Sequence, residues 1–290
     1  MNTKQFVIGI GSQRAGSTLL HRILDECSSV YMNPVKELHF FDSFFEIRNP
    51  QILKDFSSRQ LKRELDRLSG STNTVLSKQY KNYLRTNFIL SNTDIKDVNY
   101  LDLFRPCVNE SEMLGEITPE YMLLSDSEIS IMRRIVGDAK IILLIRDPME
   151  RLISSYKLLN VYGVDNPSAV SIDEENLIEH LNNNTQWILQ QDQLNAYCDA
   201  ISRFNRHFTD VLVVPYKKIF KAPDEVIHQL SSLLTEEIDS AKYKDIIKNK
   251  VNSLSSDLAI SGALKKTIYG RYEAEYENLK DYLGEGFDFI

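Results

Sequence analysis

The stretch from Phe6 to Cys27 limits what this chain can fold into more than any other. Phe6 to Ile10 is a short apolar run of strand type, and Gly11 to Gly16 is a loop. From Ser17 onward, Leu19, Leu20, Ile23, Leu24 and Cys27 recur at helical spacing. A strand that runs through a glycine loop into a helix opens a parallel α/β sheet. The glycines let the backbone approach a ligand closely. The first N–H groups of the helix have no carbonyl partner, point into the loop and favour an anion. A tight strand–helix turn that holds no ligand is the other reading of the same residues.

Gly11-Ser12-Gln13-Arg14-Ala15-Gly16-Ser17-Thr18 is nearly a Walker loop, G-x-x-x-x-G-K-[ST]. Ser17 stands where that loop has its lysine, the group that grips β- and γ-phosphates, so a nucleotide-triphosphatase reading is weakened. A different cation, Arg14, lies inside the loop.

The rest of the chain continues the alternation. Val35 to Asp42 alternates and reads as a short extended segment, and Gln51 to Asn87 reads as polar and helical. Gly115 to Pro119 looks like a strand end and turn, and Lys140 to Ile145 like a buried strand. Asp147, Pro148 and Glu150 supply the N-cap, N1 and N3 residues of a following helix. Thr185 to Phe208 reads as one long helix, Val211 to Val214 as a strand, and Pro223 to Leu234 as a helix. The expected fold is α/β: a single P-loop-like domain over residues 1–290, with a central parallel sheet flanked by helices. A helical insertion over about 45–110 would shape an acceptor site.

Composition narrows the function classes. A chain of 290 residues with 42% hydrophobic and 26% charged residues is neither disordered nor collagen-like. The net charge of −7 argues against nucleic acid or an anionic membrane as the main partner. Cys27, Cys107 and Cys198 are too scattered for a disulfide framework or a zinc site. Ile141 to Ile145, the longest aliphatic run, is too short to span a bilayer. No signal-peptide pattern precedes the first strand, so a cytoplasmic protein is expected. No spacing of residues suggests a metal.

Two further groupings carry chemistry. Arg146 ends the Lys140 strand at the carboxyl edge, where open α/β sheets bind ligands, and Ser154 and Ser155 follow two turns into the next helix. A guanidinium and hydroxyls suit a phosphate dianion, although an arginine in that place also serves to pair a carboxylate or a carbonyl. In Lys36-Glu37-Leu38-His39-Phe40-Phe41-Asp42, an extended chain sets Glu37 and His39 on one face as a general-base pair. Two solvated residues on an edge strand are the alternative.

Taken in order, these segments resemble the sulfotransferases that use 3′-phosphoadenosine 5′-phosphosulfate (PAPS). The likeness is nearest to the branch with bacterial and heparan-type carbohydrate enzymes. It rests on Gly11 to Thr18, Arg146 to Ser154, Lys36 to Phe41, Gly115 to Tyr121 and the late pattern Tyr272, Tyr276, Asn278, Leu279, Leu283, Gly284. The resemblance implies that Ser12, Gln13, Arg14, Ala15, Gly16, Ser17 and Thr18 hold the 5′-phosphosulfate. It implies that Arg146 and Ser154 bind the 3′-phosphate, and that Arg14 sits beside the bridging oxygen. Glu37 matches the catalytic base of several members, with His39 as the alternative. The chain departs from glycosaminoglycan-acting relatives at Ile117, where those carry a lysine.

The implied reaction moves a sulfuryl group from PAPS to a hydroxyl, or an amine, and leaves 3′-phosphoadenosine 5′-phosphate (PAP). It calls for positioning and charge stabilisation, and for no metal. No run of Lys or Arg exceeds two, and acidic residues outnumber basic ones, 41 to 34. That balance disfavours a polyanionic acceptor and points to a small-molecule natural product. A carbohydrate hydroxyl is the alternative acceptor, and a P-loop nucleotide kinase the competing activity.

Overall fold

Five short apolar runs become five parallel strands of one sheet, ordered β2-β3-β1-β4-β5, in the computed structural model of this chain. They are β1 (Gln5–Gly11), β2 (Tyr31–Met32), β3 (Met113–Ile117), β4 (Lys140–Ile145) and β5 (Val211–Pro215). The structure describes residues 4–70, 76–161, 173–248 and 260–290. Every residue of β4 is buried, as expected of a strand covered by helices on both faces.

The helices follow from amphipathic stripes between these strands. They are α1 (Ser17–Cys27), α2 (Phe40–Phe44), α3 (Pro50–Ser69), α4 (Lys78–Asn92), α5 (Asp126–Val136), α6 (Pro148–Val161) and α7 (Glu175–Asn182). After them come α8 (Gln186–Asn195), α9 (Tyr197–Asn205), α10 (Lys218–Lys221), α11 (Pro223–Leu234), α12 (Ser240–Lys248) and α13 (Gly262–Leu283). Alternate residues of β4 serve opposite cores, because strand side chains alternate faces. Ile141, Leu143 and Ile145 join Phe41 of α2, Met132 of α5 and Phe204 of α9. Ile142 and Leu144 join Leu20 and Leu24 of α1 and Leu230 of α11. A third cluster packs Leu152 and Tyr156 of α6 against Leu177, Ile188, Ile268 and Tyr272. No helix among the described residues is long and apolar enough to cross a membrane.

Several expectations are corrected. Val35 to Asp42 is not extended: Glu37 and His39 take left-handed conformations (φ 62° and 49°), and Phe40 begins α2. Glu37 and His39 therefore share no strand face and meet through a coiled turn instead. The polar stretch Gln51 to Asn87 is two helices, α3 and α4, and residues 71–75 between them lie outside the described residues. Thr185 to Phe208 breaks at Ala196 (φ −78°, ψ 64°) into α8 and α9. Arg151 explains that break. Its guanidinium is fully buried and donates to the Gln191 side chain and carbonyl, 3.0 Å each, and to the Asn195 side chain. Asn195 in turn donates to the Pro148 carbonyl at 3.2 Å, so α6 is clamped onto the α8–α9 corner.

The start of α6 is capped as its sequence foretells, with Asp147 Oδ1 accepting from the Glu150 N–H at 2.7 Å. Ile142 lies at the centre of the sheet with no exposure. Ile142→Ala should lower unfolding stability by about 2–5 kcal/mol, measured by urea denaturation with an unchanged m-value. A loss under about 1 kcal/mol would contradict the double-sided burial of β4.

Candidate active site

The sheet register brings the glycine loop and Arg146 to one edge. Gly11 pairs with Leu143, so the carboxyl ends of β1 and β4 lie side by side. Above them is a cavity of about 210 Å³ whose wall includes Gln13, Arg14, Gly16, Ser17, Thr18, Lys36, Glu37, Arg146, Ser154 and Tyr216. Gly16 has φ 102°, and a Cβ there would lie 2.7 Å from the Tyr216 ring, so only glycine fits. The same ring lies under the Arg146 guanidinium, 5.2 Å from its carbon. The Leu19 and Leu20 N–H groups both reach the Gly16 carbonyl, at 2.9 and 3.0 Å. Those of Ser17 and Thr18, the first two of α1, have no carbonyl a turn earlier in the helix. They make the cavity floor an anion-binding surface.

Arg14 and Arg146 face this cavity together. Arg14 Nε donates to Ser154 Oγ at 3.1 Å, and Arg146 Nη1 donates to the Arg14 carbonyl at 3.2 Å. Burial and the neighbouring Arg146 charge both push the Arg14 pKa down, more than the Glu37 carboxylate holds it up, so an anion bound between the two arginines would be favoured.

The opposite wall is the turn that carries Glu37 and His39, and a buried carboxylate holds it. Glu116 on β3 accepts from Tyr100 (2.9 Å), Tyr121 (2.7 Å) and Thr118 (2.7 Å). Burial raises the Glu116 pKa to about 7, against the pull of these three hydroxyls. The Tyr121 oxygen also accepts from the Phe40 N–H at 3.0 Å, and the Thr118 oxygen from the His39 N–H at 3.3 Å. The segment Gly115 to Tyr121 is therefore the anchor of the left-handed turn.

On that turn, Lys36 Nζ lies 2.6 Å from Glu37 Oε1, and His39 Nε2 lies 3.7 Å from Glu37 Oε2. His39 Nδ1 faces Asp42 at 2.7 Å and Glu120 at 3.9 Å. Gln13 of the glycine loop donates to Glu120 at 3.3 Å, which links the two walls. Burial opposes charge on His39, but its hydrogen bond to Asp42 and the nearby Glu37 carboxylate raise its pKa to about 10. Burial likewise opposes charge on Glu37, yet His39 and Lys36 lower it to about 2. Glu37 is a carboxylate at neutral pH, and His39 an imidazolium with no lone pair to accept a proton. Glu37, His39 and Glu120 also bring ligand-type atoms within 4.8 Å of one another, a grouping that no sequence spacing announced.

Most residues singled out by sequence lie together here. Gln13, Arg14, Gly16, Ser17, Thr18, Glu37, Arg146 and Ser154 line the cavity, with His39 buried behind Glu37. Ser12 and Ala15 do not line it. The Ser12 hydroxyl is buried and donates to the Leu194 carbonyl at 2.8 Å, and the Ala15 N–H is spent on the Ser12 carbonyl. Sequence reasoning passed over Tyr216, Asp42 and Glu120. Tyr216 was within reach, since it directly follows β5 at the same carboxyl edge. Asp42 and Glu120 carried no local signal.

The raised His39 pKa has a signed consequence. Its stabilising contribution is complete below the unfolded value of about 6.5 and is lost as pH rises through about 10. The stability gap between the protein and a His39→Asn variant should shrink from neutral pH to about pH 10 in urea titrations. A gap independent of pH would refute the imidazolium assignment.

Comparison with known proteins bears on the family and the fold. The Sulfotransferase family profile matches residues 6–240. A sulfotransferase from Alicyclobacillus acidocaldarius superposes with TM-score 0.60 at 17% identity, over 97% of this chain and 96% of that one. The sulfotransferase domain of the Synechococcus PCC 7002 olefin synthase gives TM-score 0.52 at 18% identity, over 94% of both chains. The sulfotransferase domain from the curacin biosynthetic pathway gives 0.52 at 18%, over 97% and 98%. At such identities these structures speak to the fold alone, and by sequence no curated protein matches the chain. With the profile covering most of its length and the parallel sheet shared with those structures, this chain belongs to the sulfotransferase family.

Proposed function

We propose that the protein transfers a sulfuryl group from PAPS to a hydroxyl of a small-molecule natural product. One observation carries this reading: a single cavity is lined by an anion-binding loop with Arg14, by Arg146 and Ser154 next to it, and by the Glu37 carboxylate. PAPS has two separated anionic groups and a group to be attacked, and the cavity offers a matching partner for each. The N–H groups of Ser17 and Thr18 would bind the 5′-phosphosulfate, and Arg146 the 3′-phosphate.

In this reaction the acceptor oxygen bonds to sulfur as the bond from sulfur to the bridging phosphate oxygen breaks. Charge grows on that leaving oxygen, where Arg14 and the start of α1 stabilise it. The acceptor hydroxyl becomes acidic as its oxygen commits to sulfur, so even a weakly basic carboxylate such as Glu37 can take the proton. His39, as an imidazolium, holds Glu37 in place rather than competing with it. The three cysteines are free, which supports a reducing, cytoplasmic setting.

For the acceptor, the curacin-pathway origin of one similar structure supports a small molecule. A second reading, a carbohydrate or other acceptor with an anionic group, has its own support. Helices α3 and α4 carry eight Lys and Arg against three Asp and Glu. A cavity of about 300 Å³ between them, with Tyr80, Tyr83 and the paired Arg67 and Glu64 on its wall, touches Pro34, two residues before Lys36.

Two experiments test the reading. Arg146→Ala should weaken PAP in calorimetry while leaving adenosine 5′-phosphosulfate, which lacks the 3′-phosphate, almost unaffected. The loss should be about 1.5–3 kcal/mol, and equal weakening of both would reject the donor assignment. Glu37→Gln should keep PAP affinity and lower kcat by about 10²–10⁴-fold on whichever member of a labelled-PAPS acceptor panel is turned over. The panel spans small alcohols, neutral oligosaccharides and heparan precursors. Turnover that survives in Glu37→Gln and disappears in His39→Ala would make His39 the base. Sulfation of heparan precursors alone would overturn the small-molecule acceptor.

A further inference from the structure

Arg146 is not bare. Glu150, one helical turn along α6, places Oε2 at 3.3 Å from both Nε and Nη2 of Arg146, occupying the donor fork that would grip a phosphate. Its other oxygen, Oε1, lies 2.8 Å from Lys217 Nζ. Ser154 is one turn beyond Glu150 on α6, the i, i+4 spacing that sets side chains on one helix face, while Arg146 precedes the helix. The carboxylate therefore fills the Arg146 fork, and the Ser154 hydroxyl accepts from Arg14. Glu150 is also partly exposed, with 37% of its side chain accessible, so no packing locks it there.

We propose that Glu150 is an internal counter-ion, a carboxylate that fills the Arg146 fork in the free protein, yields it to the incoming 3′-phosphate and is then retained by Lys217. The inference rests on the reading of Arg146 and Ser154 as the 3′-phosphate site. Two consequences follow from the charges. A dianionic phosphate recovers more from the Arg146 fork than a single carboxylate does, so a nucleotide with a 3′-phosphate displaces Glu150. An anion with one charge recovers too little from the fork to displace Glu150, and a nucleotide without that phosphate does not contest the fork at all. Lys217 keeps Glu150 ionised and gives it a partner to turn to, which lowers the cost of displacement.

Calorimetry with PAP and AMP on the full chain tests the device. Wild-type protein should prefer PAP. Glu150→Gln keeps the shape but removes the charge, and should tighten PAP by about tenfold while changing AMP less than about twofold. Glu150→Ala should behave alike, with thermal unfolding showing both variants folded. Lys217→Met should weaken PAP in the wild-type background and have no effect on top of Glu150→Gln, because Lys217 acts through Glu150. If wild-type protein binds PAP no more tightly than AMP, the donor reading fails and this inference fails with it. If wild-type protein prefers PAP but Glu150→Gln leaves PAP unchanged or weaker, the donor reading stands and the role of Glu150 is overturned. A loss of PAP affinity from Lys217→Met that persists undiminished in the Glu150→Gln background would mean that Lys217 meets the phosphate directly, overturning the hand-over.

Discussion

The parallel pairing of β1 with β4 is the constraint on which the rest depends. Parallel neighbours point their carboxyl ends the same way, so the loop after β1 and the residue after β4 emerge at one edge. The loop brings unpaired N–H groups and Arg14, and β4 brings Arg146. Neither grouping makes the cavity by itself. β5, paired on the far side of β4, adds Tyr216, whose ring lies beside Gly16 and under Arg146 and so packs the loop against the arginine.

A second constraint works from the other side of β1. β3 carries Glu116, a buried carboxylate whose desolvation is offset by three hydroxyl donors. Two of those hydroxyl oxygens also accept the main-chain N–H groups of His39 and Phe40. A buried polar network that satisfies itself while pinning an irregular turn is a structural reason for the segment Gly115 to Tyr121, distinct from any contact with substrate. It lets Glu37 and His39 hold left-handed conformations that the chain would not hold alone.

The electrostatic design of the cavity is that each charged group answers another. Arg146 is met by Glu150 and Glu150 by Lys217. Glu37 is met by Lys36 and His39, and His39 by Asp42. Arg14 is the exception, hydrogen-bonded to the neutral Ser154 hydroxyl and lying against the like-charged Arg146. An anion is the complement that this arrangement lacks.

What the sequence alone determined was local. Glycine spacing, the aliphatic run of β4 and the Asp147–Pro148 helix start act between near neighbours, so strand, loop and helix could be read with the site residues at their ends. The grouping of charges was decided by tertiary structure. His39 meets Glu120 across 81 positions and Gln13 meets Glu120 across 107, so no periodicity could reveal either pair. The mistaken extended reading of Val35 to Asp42 has the same origin. Its alternation resembles a strand, but hydroxyls of Thr118 and Tyr121, distant in the chain, capture the backbone N–H groups that a strand partner would have used. The break at Ala196 was hidden likewise, because the buried Arg151 that clamps the corner lies on another helix.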